Sequence, residues 1–415
     1  MSADIVYLDL NLNGNNEVHP SPLQRQVVRT SPILSNVGDY VMAVARCSIP
    51  QMSIPMWQPT LELGQMPAAG DYPTETVYKV TLSWVYDNGS EMVSIDSDPV
   101  SLQVLRSAMW IVPPPIDPVR GLIGQPDNGF NNVYDMDTIL RMNNNAYSAA
   151  FADLTTKITA AGQSFPAGTI APVMSYNPNN QCLTITAFPY SAYQTMETGD
   201  ADDVKNRPGI QIWYSASYFA YLPGWSMRVY NSSTKKSTST NYKDVLLQTG
   251  GLPGTYINED GSPSIKQFPT DPDAAYAVFV QEWPGFFAFR SLMKIQILGT
   301  GLNTNPEGVD LPLVEMGKGS TDLQSSIICD FDPDISGPGN FQQPLVYTPA
   351  SVIPGARFID LMPCQTLQSF NIAIDWQDSL GRSHPMYTFS QAQSASIKLV
   401  FVKKDYLRSL NSQKK

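Results

Sequence analysis

Histidine is almost missing from this chain: His19 and His384 are its two copies in 415 residues, and each is followed by a proline. A hydrolase built on a Ser-His pair is therefore confined to one of two loop positions, and neither adjoins a nucleophile motif. Gly-x-Ser-x-Gly, His-Glu-x-x-His, Gly-x-Gly-x-x-Gly and the phosphate loop are also absent. Gly317-Lys318-Gly319-Ser320 has a lysine between glycines but lacks the first glycine at the required spacing, so it reads as a turn. Cysteine is scarce too: Cys47, Cys182, Cys329 and Cys364 lie far apart with no Cys-x-x-Cys, which excludes a zinc knuckle and a redox pair and leaves reduced, buried thiols. No stretch approaches the roughly twenty apolar residues a membrane helix needs. The start, MSADIVYLDLNL, lacks the basic flank and long apolar centre of a signal peptide, so the sequons at Asn88 and Asn231 carry little weight.

Charge is low at 15%, and acids outnumber bases by 37 to 26, which excludes a general phosphate-binding surface. The local exception is the C-terminus, where Lys398, Lys403, Lys404, Arg408, Lys414 and Lys415 face only Asp405. It reads as a solvated, frayed end, with contact to nucleic acid or an anionic surface as the alternative. Asp330, Asp332, Asp334 and Ser336 place oxygen ligands at alternate positions, as the first half of a calcium loop does. Counted from Asp330, the sixth and twelfth positions are Ile335 and Phe341 instead of glycine and glutamate, so a solvated turn is the better reading. Glycosidase chemistry needs two carboxyls at a set distance, which sequence does not show. No catalytic, cofactor-binding or metal-binding residue is assigned.

What the chain does hold is proline (34), glycine (27) and tyrosine (20), the composition of many short strands joined by turns. The clearest alternation is 77–86, where Tyr78, Val80, Leu82, Trp84 and Tyr86 share one face; Asp87-Asn88-Gly89-Ser90 then predicts a hairpin into 91–95. One helix is predicted, capped by Asp135 or Asp137, with Ile139, Met142, Ala146, Tyr147, Ala150, Leu154 and Ile158 at helical spacing and Gly162 as the stop. Residues 17–36, with Pro20, Pro22 and Pro32, read as an extended arm lying over a neighbour. Residues 232–241 and 260–273 read as loops. Trp84, Trp110, Trp213 and Trp376 sit within strands and read as packing residues before sugar platforms. In 367–376, Phe370, Ile372, Ile374 and Trp376 take one face and Asn371, Ala373 and Asp375 the other, a half-buried strand. Residues 397–402 are apolar on both faces, which predicts a strand inside a sheet, flanked by strands from the N-terminal region.

The fold class that follows is all-β: a jelly-roll β-sandwich with one helix and long insertions, a second β-barrel or jelly roll among them staying open. Residues 1–120 with 290–415 are expected to form the sandwich, and 121–289 a helix-containing insertion or second β unit.

Several short words occur in a telling order: Asp39-Tyr40 leading to Ser48-Ile49-Pro50 and Ile54-Pro55, Tyr134-Asp135 opening the helix, Asp330-Phe331-Asp332-Pro333, and Arg357-Phe358-Ile359-Asp360-Leu361. Then come Ile374-Asp375-Trp376-Gln377-Asp378 with Gly381 and Pro385-Met386-Tyr387, the most specific block, and Lys398-Leu399, Phe401 and Lys403-Lys404. In these the chain resembles the minor capsid, or penton, proteins of the polinton-like virus and virophage group. The resemblance implies a jelly-roll subunit of the virion, a homopentamer at icosahedral vertices beside major capsid protein trimers, with no catalytic residue. Weak genome contact through the basic tail is the remaining partner expectation. A jelly-roll major capsid subunit and a carbohydrate-binding attachment protein are the alternatives.

Overall fold

The computed structural model describes residues 4–13, 21–50, 53–62, 74–105, 109–111, 130–193, 208–230, 242–247, 277–302, 326–333, 344–349, 357–363, 366–378, 383–388 and 394–412. His19, Cys364, Asp334, Ser336, Lys414, Lys415, the sequon at Asn231, Gly317 to Ser320, and the loops at 232–241 and 260–273 lie outside them. The chain forms two compact units, Met1–Trp57 with Ile111–Gly129 and Ser291–Lys415, and Gln58–Trp110 with Phe130–Arg290.

The first unit is wound from β1 (Ile5–Asn13), β2 (Gln24–Val28), β3 (Tyr40–Ile49), β4 (Leu292–Thr300), β5 (Ser326–Phe331), β6 (Leu345–Tyr347), β7 (Ser369–Asp378) and β8 (Ser394–Lys403). One antiparallel sheet has the order β1-β8-β3-β6, with Ile359–Asp360 also on β3; the other runs β5-β4-β7-β2, with Ser383–Pro385 sharing the far edge of β7. Strands that alternate between two four-stranded sheets in this order make a jelly roll. Leu8, Leu10, Leu12, Met42, Val44, Ile397, Leu399 and Phe401 from one sheet meet Ile295, Ile297, Phe370, Ile372, Ile374 and Trp376 from the other in a single core.

β8 lies between β1 and β3, as its two apolar faces predict, with Ile5 opposite Val402 and Leu12 opposite Ala395. Its outer side, Val400 and Val402 with Val41, Ala43 and Ala45, forms a second apolar cluster that Tyr406 and Leu407 pack against. Those two residues explain a difference from the frayed terminus expected of 404–412: the segment is a helix, Lys404–Ser412, because it has an apolar face to dock on. The arm expected over 17–36 is also corrected where it is described. Gln24–Val28 is β2, paired with β7 of its own chain, and Leu23 and Val27 are buried in the core.

In the second unit, Glu75–Asp87 is the hub of a six-stranded sheet, pairing with Gly209–Tyr214, Met92–Asp96 and Val100–Gln103. Glu75–Asp87, expected to join the first sandwich as part of 1–120, is therefore partnered by Gly209–Tyr214 instead; alternation shows which face of a strand is apolar but not which strand covers it. The hairpin is present: Gly89 takes φ 90°, and Asn88 Oδ1 accepts from the amides of Ser90 (2.9 Å) and Glu91 (3.0 Å). The helix is Met136–Ala160, with Asp135 Oδ1 accepting from the Thr138 amide at 2.6 Å and Gly162 in the left-handed region just past its end. A three-stranded sheet of Val173–Asn177, Cys182–Ala187 and Ala277–Val280 also belongs to the unit. Among the described residues it does not repeat the four-plus-four winding of the first unit.

Candidate functional site

The residues that sequence reading set aside as chemically capable are brought into structural roles. His384 sits opposite Trp376 and stacks on it with ring centroids 4.5 Å apart, while its Nε2 lies 3.0 Å from Asp378 Oδ2. Ser383, its neighbour on the same short strand, points the other way, and its Oγ is 3.2 Å from both Gln296 Oε1 and Asp375 Oδ2. Serine, histidine and carboxylates thus meet in two separate pairings on opposite sides of a sheet, and serine and histidine do not share a face. Burial pushes the Asp375 carboxyl up to about 6, with the Ser383 hydroxyl working in the opposite direction. The expectation of a half-buried β7 needs amending here: Asn371 is exposed, but Asp375 on the same face is buried.

Asp330, the first oxygen residue of the candidate calcium loop, is engaged by cations of its own chain. Its Oδ2 accepts from Lys294 Nζ at 2.9 Å and its Oδ1 from Arg357 Nη1 at 2.8 Å, so both oxygens already face cations. The bond to Asp330 raises the Lys294 ammonium pKa. Among the described residues there is no cluster of three or more histidine, cysteine or carboxylate groups placed to hold a metal. Cys47, Cys182 and Cys329 are free and buried. Burial, with Cys329 nearby, pushes the Cys47 thiol up to about 12, which makes it a poor nucleophile. The cations of the C-terminal segment lie near carboxylates of their own chain: Lys398 is 3.8 Å from Asp9, Lys403 4.0 Å from Asp4, Lys404 3.5 Å from Asp360 and Arg408 3.5 Å from Asp405. Trp213 and Trp376 are core residues, and Trp84 packs edge-on against Phe165.

What the first unit offers outward is the rim of its sandwich. Among the described residues β1 pairs with β8 alone and β6 with β3 alone, so each is an edge of its sheet as described. Tyr7 on β1 and Val346 on β6 are each 51% exposed. Such edges are surfaces at which chains meet, and sequence reading missed them because edge position is a property of the sheet. The family described as Sputnik minor capsid protein V18/19 matches residues 6–403. The chain belongs to that family. Its place is therefore the virion capsid, and the resemblance carried by Ile374–Asp378 and Pro385-Met386-Tyr387 is borne out.

A chain of the Sputnik virophage, seen by cryo-EM at 3.5 Å, shares the fold of this V18/19-family member with a TM-score of 0.64 and 20% identity, over 98% of this chain and 99% of that one. The mavirus penton protein aligns with a TM-score of 0.50 and 12% identity, over 96% and 99%. None of the curated protein sequences matches the chain. Both structural matches run from end to end, so the inserted second unit is part of the shared architecture.

Proposed function

We propose that this minor capsid protein is a penton-type subunit, a homopentamer at icosahedral vertices seated among trimers of a major capsid protein, and that it carries out no catalytic step. The family match over residues 6–403 carries the reading, supported by the fold shared with a penton protein of mavirus. A ring of odd order needs two different, complementary patches on each subunit, and a sandwich whose two edge strands lack an outer partner among the described residues supplies them. The reading as a jelly-roll major capsid subunit needs two comparable rolls, and the second unit is wound differently among the described residues. Absence of catalysis is supported by the histidine and serine that face apart at Ser383–Pro385. Genome contact through the tail loses support, because four of its cations sit within 4.0 Å of carboxylates of the same chain.

Native mass spectrometry of the purified chain tests the proposal. The expected mass is five times 45.7 kDa. A trimer would favour the major capsid reading, and a monomer that binds immobilised glycans would favour an attachment role; either result overturns the proposal.

A further inference from the structure

The backbone of β1 shows which of its peptide groups are already used. The Asp4 carbonyl accepts from the Lys403 amide at 2.9 Å, so the even residues Val6, Leu8, Leu10 and Leu12 turn their amides and carbonyls toward β8. Those of Ile5, Tyr7, Asp9 and Asn11 then face the opposite way, along the rim of the sheet. The Asn11 carbonyl confirms this parity, since it accepts from Arg25 Nη1 at 2.7 Å on that rim. At the far rim of the same sheet, Leu345 and Tyr347 of β6 pack toward the core, which puts Val346 on the outer face. Tyr7 is on the outer face too, opposite Val400 of the outer cluster.

We infer that β1 of one copy pairs with β6 of the next, continuing the β1-β8-β3-β6 sheet from subunit to subunit around a closed ring. The contact rests on the pentamer proposed above and names its surfaces. The outward amides and carbonyls of Ile5, Tyr7 and Asp9, unpaired among the described residues, recognise an extended backbone, so the occupant of β1 is a strand. Adjacent strands alternate in direction across this sheet, so β6 of one copy and β1 of the next meet antiparallel. Their outer faces bring Tyr7 beside Val346, an aromatic and a β-branched side chain, the kind of cross-strand pair that stabilises a sheet. Both halves of the contact lie on one chain and differ from each other, which is what a head-to-tail ring uses. The partner is therefore a second copy of this chain.

Three substitutions separate the contact from the fold. Tyr7→Lys and Val346→Lys alter exposed side chains at either rim. Asp9→Pro removes an amide that points away from β8, which an edge strand tolerates. Each variant is expected to keep the wild-type circular-dichroism melt and to need at least tenfold higher concentration to assemble, read by native mass spectrometry and light scattering. Mixing Tyr7→Lys with Val346→Lys leaves one intact contact per pair, so heterodimers should form without rings. Pentamers from all three variants at the wild-type concentration would overturn the contact while leaving the pentamer standing. Wild-type protein that forms no pentamer would overturn the vertex proposal itself and this contact with it. Should Asp9→Pro fail to fold, the two lysine variants decide alone.

Discussion

The two units of this chain solve the problem of an interior in different ways. In the first, apolar side chains from both ends of the sequence interdigitate between two sheets, Leu8 and Leu10 with Leu399 and Phe401 on one side, Ile297 and Ile374 on the other. That cohesion is non-directional and scales with area. In the second, tyrosines do much of the filling: Tyr147 and Tyr214 hydrogen-bond hydroxyl to hydroxyl, Tyr218 Oη donates to Asn143 Oδ1 at 3.0 Å, and the Tyr78 and Tyr221 hydroxyls lie 3.2 Å apart. Burial holds the Tyr147, Tyr214 and Tyr218 hydroxyls well above the usual phenol range, so they stay neutral donors. One unit is bound by surface, the other by surface and direction. The jelly roll must therefore be sensitive to lost volume, and the insert to a lost partner.

The severest test of the contrast removes area. A chain ending at Ala395 lacks nearly all of β8, a strand between two others, and should give no soluble, cooperatively melting protein. The buried side chains removed contribute about 1.5 to 3 kcal/mol each, comparable in sum with a domain's whole stability of about 5 to 15 kcal/mol. Soluble protein with an unchanged melt would mean that β8 does not organise the roll. A chain ending at Lys404 loses only the helix over the outer cluster, and should fold with a lower melting temperature.

Single substitutions sharpen the comparison. Leu399→Ala leaves a cavity in the roll and should cost about 2 to 5 kcal/mol in denaturant unfolding. Tyr218→Phe keeps the volume but takes a donor from buried Asn143, and should cost about 1 to 3 kcal/mol. If Tyr218→Phe is neutral, the hydroxyl network is an accompaniment of packing and the contrast between the units fails.

Two carboxyls are buried on β7 of the roll, Asp378 beside His384 and Asp375 beside the Ser383 hydroxyl, and among the described residues Asp375 has no basic partner. Its folded pKa of about 6 stands above the ordinary 3.8, so between those values the folded protein holds a proton that the unfolded chain releases. Stability then falls as pH rises through that window, and at pH 7 the buried anion costs up to about 3 kcal/mol. Asp375→Asn should raise the melting temperature at pH 7 and match wild type at pH values below 3.8. Equal pH profiles for variant and wild type would show that Asp375 is solvated.

Much of the local structure was legible because its causes are neighbours in the chain. Asp135 caps a helix whose apolar residues recur at the right spacing, and Asn88-Gly89 turns a hairpin whose strands alternate on either side. The two apolar faces of 397–402 even implied a central place in a sheet, since such a strand at an edge would aggregate. Other features had no local cause to read. Whether 75–87 joined the first sandwich or 209–214 depended on which apolar face was available to cover it. The proline-rich segment became β2 because Leu23 and Val27 reach the core, and the basic tail became a helix because Val400 and Val402 left an outer patch for Tyr406 and Leu407. Asp375 looked solvent-facing by alternation and is buried by packing that alternation does not encode. By itself the sequence determined the 88–89 hairpin, the helix and its cap, the apolar strand 397–402 and the family of this capsid protein, since these rest on adjacent residues and short words. Only the tertiary structure decided the pairings, the sheet edges and the burial of Asp375, because burial is settled by residues hundreds of positions apart, as Ile5 and Val402 are.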